Sequence, residues 1–184
     1  MDRIHSLTEK IHRQTQSSYE DFPDIQLYMD QVLEYLAREE LFFKEGDKLT
    51  SAMINNYIKD GLLPRANGKK YSREHLVYLS IIASLKQVLS VKDTGVLVKE
   101  EIENGKEKEY YDTFLRMLNE SFQGVLQTLK EYEKEGISSL AMHLAVNSYV
   151  NKIACEYLID GMLKDNQSEN FQEENRKKKK AQKK

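Results

Sequence analysis

A chain of 184 residues has room for one domain, or for one small domain with a helical extension. Hydrophobic residues at 40% suffice for a core, and 32% charged residues with only 8 Gly and 2 Pro favour mostly helical structure. No apolar run approaches the roughly 18–20 residues of a membrane span, the opening MDRIHSLTEKIHRQTQ lacks the apolar centre of a signal peptide, and the single Cys155 allows no internal disulfide. A cytoplasmic protein with a buried, inert thiol is the expectation.

The formal charge of −2 hides an asymmetry. Residues 175–184, NRKKKKAQKK, carry seven cations and no acid, and without them 21 basic residues face 30 acidic ones. Within that acidic body, residues 48–73 hold Lys48, Lys59, Arg65, Lys69, Lys70 and Arg73 against Asp60 alone. Such clustering says more about partners than the total does.

In chain order, residues 1–22 are polar, and Ile4, Leu7 and Ile11 make at most a short, loosely held amphipathic turn. A helical pattern runs from about Ile25 to Phe43, and KEGDK (44–48) reads as a loop. Thr50 is a good N-cap for a helix over 51–60, with Met53, Ile54, Tyr57 and Ile58 on its apolar face. Gly61 suits the position after that helix and Pro64 prevents its continuing. Asn67-Gly68 is the dipeptide favoured at the tip of a two-residue hairpin, and cations flank it. Ser72 caps a second helix, about 73–89, apolar on more than one side and therefore placed at the centre of the domain. A short helix opens at Ser90, with Asp93 three residues on.

After the linker ENGKEKE, Tyr111, Leu115, Leu118, Phe122, Val125, Leu129 and Tyr132 recur at alternating spacings of four and three, the seam of a helix lying along another helix. A last helix from Ser138 or Ser139 to about Leu163 is apolar around much of its circumference and needs more than one partner. An antiparallel hairpin, with its surplus apolar face buried in a homodimer, is expected, followed by a disordered basic tail.

Chemistry is sparse. His5, His12, His75 and His143 show no metal-ligand spacing with one another or with Cys155, and no phosphate loop or nucleophile elbow occurs. The carboxylates fall on polar helix faces. No enzymatic role, cofactor or metal is therefore expected, and the sequence names no small-molecule effector.

The stretch LTSAMINNYIKDGLLPRANGKKYSREHLVYLSIIASLKQVLSVKDT resembles the DNA-binding head of MerR-type regulators. Thr50, Tyr57, Gly61, Leu62, Pro64, Tyr71, Ser72, Leu79, Ile82, Leu89 and Ser90 carry the resemblance. Over roughly 22–165 the chain also resembles an uncharacterised bacterial family taken to carry such a head. The resemblance implies an all-α fold: a MerR-like winged helix-turn-helix with a small β-hairpin wing, followed by a C-terminal antiparallel helical hairpin. Its expected divisions are a flexible segment 1–22, a helix-turn-helix domain 23–105, a dimerisation hairpin 106–165 and a disordered basic tail 166–184.

It further implies binding to duplex DNA as a dimer, and a role in transcription. Met53, Asn55 and Asn56 would face base edges. Tyr57, Arg65, Lys69, Lys70 and Arg73 would meet the phosphate backbone, with Ser51, Lys59 and Tyr71 completing the surface. Where MerR-type heads place arginines on the recognition helix, this chain has Ala52 and Asn55. A helical protein-interaction module is the second reading.

Overall fold

In the computed structural model, residues 3–13, 17–39, 48–104, 106–132 and 136–181 are described, with the side chains of 39, 100–104 and 166–181 excepted. Among them are seven α-helices and one small sheet: α1 (Arg3–His12), β1 (Leu27–Tyr28), α2 (Met29–Glu39), α3 (Ser51–Lys59), β2 (Lys70–Tyr71), α4 (Arg73–Leu85), α5 (Val91–Asn104), α6 (Glu107–Glu131) and α7 (Ile137–Ala181). The protein is mostly helical, as its composition suggests.

The centre is α4. Eight of its side chains from His75 to Ala83, including Leu76, Tyr78, Leu79 and Ile82, are buried. An apolar character that wraps the helix this way requires neighbours on several sides. They are Val32 and Leu36 of α2, Ile54 and Tyr57 of α3, Val98 of α5 and Tyr111 of α6. Phe22 closes the cluster with its ring edge-on to Tyr111, centroids 5.2 Å apart, and Tyr111 Oη donates to the Ser17 carbonyl at 3.0 Å.

Several boundaries differ from the sequence reading. Ile25 is exposed and outside any helix, because the chain first forms β1 and turns helical only at Met29. The expected end of that helix near Phe43 and the loop 44–47 lie outside the described residues. Helix α4 stops at Leu85 rather than near 89.

A second cluster joins Leu126 and Leu129 of α6, Leu140 of α7 and Ile11 of α1, with Ile4, Leu7, Phe122 and Tyr132 around it. So α1 is packed rather than loosely held. The α6 seam is likewise used within the molecule, its first turns on the main core and its last turns on this cluster. Farther along, α7 lies beside α5. Cys155 is half-buried, more open than expected. The backbone of α7 stays helical to Ala181, past the point where a disordered tail is expected; residues 166–181 lack Pro and Gly and are rich in helix-favouring Glu, Gln and Lys.

Candidate nucleic-acid interface

Local chemistry builds this region from α3 onwards. Thr50 Oγ1 accepts from the Met53 N–H at 3.3 Å and so satisfies one of the free donors at the start of α3. At the other end, the Leu62 N–H reaches the Tyr57 carbonyl at 2.8 Å while Gly61 takes φ +74°, a left-handed helix stop. The stop turns the chain away before Pro64.

The hairpin follows, with its tip one residue later than expected. Asn67 and Lys70 exchange backbone hydrogen bonds of 3.0 and 3.1 Å, so Gly68-Lys69 forms the two-residue loop. The first loop position takes a positive φ, which Gly68 supplies at +63°. Asn67 thereby becomes half of the closing pair. On its other edge, β2 pairs antiparallel with β1, Leu27 opposite Tyr71 and Tyr28 opposite Lys70. The hairpin is thus tied to a segment some forty residues upstream.

Helix α4 begins at Ser72, whose N–H donates to His75 Nδ1 at 3.1 Å, with Ser72 Oγ 2.7 Å from the same nitrogen. His75 takes the place of the usual Glu or Gln in a capping box. Burial pushes its imidazole below the ordinary histidine pKa, with the backbone of Arg65 and Pro64 acting weakly the other way.

The expected site residues divide into two groups. Ser51, Asn55, Asn56 and Lys59 are exposed on α3, spaced so that they share one face. Arg65, Lys69 and Lys70 are exposed along the hairpin, and Lys70 Nζ stands 5.5 Å from the centre of the Tyr28 ring. Lys48 and Ala52 are exposed as well. Sequence reading ranks Lys48 only among the local cations.

Tyr57 and Tyr71 are placed otherwise. They are 2% and 4% exposed, and burial raises the pKa of both phenols. Each is a core side chain, with its ring buried rather than presented on the surface. Met53 is half-buried against the core, and Arg73 is half-buried over the Tyr19 ring. What remains is an uncharged polar helix face ending in Lys59, beside a basic hairpin.

These elements define a mostly helical protein with a small two-stranded sheet. Residues 17–115, just over half of the chain, match the family model described as Domain of unknown function (DUF1836). The chain belongs to that family. No curated protein matches it. No solved structure matches it either.

Proposed function

We propose that this protein binds duplex DNA as a dimer, through a MerR-like winged helix-turn-helix, and acts in transcription. The observation that carries the reading is the run of exposed Lys59, Arg65, Lys69 and Lys70 along α3 and the hairpin, with Asp60 the one acid between residues 48 and 73. Helix α3 is two and a half turns long, fits a major groove and presents Asn55 and Asn56, side chains able to pair bidentately with adenine. The hairpin cations release counterions from the phosphates beside that groove. This division gives affinity to the wing and discrimination to the helix.

Selection from a random duplex pool, with a chain ending at Asn166 so that the basic tail contributes nothing, is the direct experiment. The expected result is an inverted repeat, mirroring a two-fold symmetric protein. Charge reversal of Lys69 and Lys70 to Glu then lowers affinity for the selected site on the order of 100-fold or more. Survival of that affinity would overturn the wing assignment.

The uncharged Ala52 and Asn55, at positions where MerR-type heads carry arginines, favour a second reading: a helical module whose partner is another protein. Capture of one stoichiometric protein partner, with no enrichment of any duplex at low salt, would select it.

A further inference from the structure

The seam of α6 is spent inside the molecule, whereas the outer face of α7 is bare. Met142, Val146, Tyr149, Val150, Ile153 and Tyr157 form a continuous apolar stripe about 22 Å long on a helix rising 1.5 Å per residue. Tyr157 is 79% exposed, Met142 66% and Tyr149 65%. With whole residues of these kinds offering up to about 150–250 Å², the six leave roughly 700 Å² of surface to water. An apolar patch of that size on a soluble chain marks a contact surface. It also approaches the ~800 Å² per partner of a standard specific interface.

We propose that this stripe is covered by the same stripe of a second copy of the chain, the two helices running antiparallel about a two-fold axis between Tyr149 and Val150. The stripe's spacing reads the same in both directions about that point. The register sets Met142 against the partner's Tyr157, Val146 against the partner's Ile153, and Tyr149 against the partner's Val150. The bulky tyrosines thus meet smaller or flexible side chains. A two-fold interface requires this self-complementarity, since every contact occurs twice. At both ends, exposed Ser139 comes opposite the partner's Asp160, a hydroxyl beside a carboxylate.

Charge favours this direction over its opposite. No charged side chain interrupts the stripe, and Lys152 and Glu156 pair with each other, 3.7 Å apart, on its flank. The backbone is helical to Ala181, so a parallel pair would set two copies of Arg176–Lys180 side by side. An antiparallel pair sends the two basic ends in opposite directions. Like charges at close range cost stability, which disfavours the parallel form.

The pairing deepens the dimeric part of the DNA-binding reading. It is measured without DNA, so a monomeric result sinks the pairing alone, while the duplex selection decides DNA binding.

Sedimentation equilibrium of the full chain, at about 0.5 M salt to screen the tail, is expected to give twice 21.5 kDa. Val150→Glu is expected to weaken association on the order of 100-fold with unchanged far-ultraviolet circular dichroism, because Val150 is exposed and lies at the interface centre. Should that variant lose helix signal, Tyr157→Gln, one of the most open positions, is expected to weaken association about 10-fold. Mild oxidation reads direction. In a Cys155→Ala background, a Val146→Cys chain mixed with an Ile153→Cys chain forms the cross-linked pair, and neither does so alone. A monomeric full chain, a dimer indifferent to these substitutions, or cross-linking of Val146→Cys with itself would each overturn the proposal.

Discussion

Leu62 lies against the bare backbone of Gly95: a β-carbon built on that glycine would stand 3.1 Å from Leu62 Cγ and 3.2 Å from Cδ1. Leu62 follows the Gly61 stop of α3, so the contact fastens the end of the proposed recognition helix to α5. Gly95→Val is expected to destabilise the fold by about 1–3 kcal/mol through overpacking. The readout is a lower urea midpoint at unchanged slope. A midpoint equal to that of the native chain would show that Leu62 yields freely.

Removing one cation from the hairpin tests its share of DNA affinity. Lys69→Ala should weaken binding to specific and random duplexes alike, and make the dependence of log K on log salt shallower by about 0.9 for each phosphate that is no longer neutralised. Asn55→Ala should leave the salt slope unchanged and relax discrimination at one base step by about 1–3 kcal/mol. Competition binding over a salt series separates the two. Identical behaviour in both variants would remove the distinction between wing and helix.

The His75 cap makes stability depend on pH. Its imidazole, depressed by burial, protonates less readily in the folded chain than in the unfolded one, where the ordinary value is about 6.5. The contribution is therefore fully present above about pH 6.5 and is lost as pH falls through the folded value, with a slope of up to about 1.4 kcal/mol per pH unit for one proton. His75→Gln keeps an acceptor at the same capping position without titrating. Urea midpoints of that variant should change less than those of the native chain between about pH 7 and pH 5. An unchanged slope would place the dependence elsewhere.

Two changes probe packing that only tertiary structure creates. Ile11→Ala is expected to cost about 2–3 kcal/mol, because Ile11 is buried with Leu126, Leu129 and Leu140. Were α1 loose, that change would be silent. Tyr111→Phe, which removes the hydrogen bond to Ser17, is expected to cost about 1 kcal/mol. Urea unfolding of each variant supplies the comparison.

Local chemistry explains which parts of the fold were legible in the sequence. Thr50, Gly61, Ser72 and Ser90 act on their immediate neighbours: Thr50 caps α3, Gly61 ends it, Ser72 opens α4, and the Ser90 hydroxyl accepts from the Asp93 N–H at 3.1 Å. The breadth of apolar character on α4 likewise announces its central place. Strand β1 was illegible because two residues have no period, and its pairing with β2 joins segments distant in sequence. The apolar face of α3 already includes Tyr57, and only the family resemblance sets Tyr57 and Tyr71 against phosphate; their rings fill the core. The α6 heptad shows that the helix has a helical partner without naming it. In the structure the main core takes its first turns, and α1 together with Leu140 of α7 takes its last turns.

The family match ends at residue 115, a few turns into α6 rather than at either end of it. That limit coincides with the last α6 residues of the main core, Tyr110, Tyr111, Phe114 and Leu115, while Phe122 to Tyr132 serve the second cluster. One helix is thus shared between a domain common to the family and a region outside the match. The first turns of α6 belong to the core of the matched region, and its last turns to packing outside the match. The sequences of relatives should accordingly diverge within this helix, past Leu115, rather than at a loop.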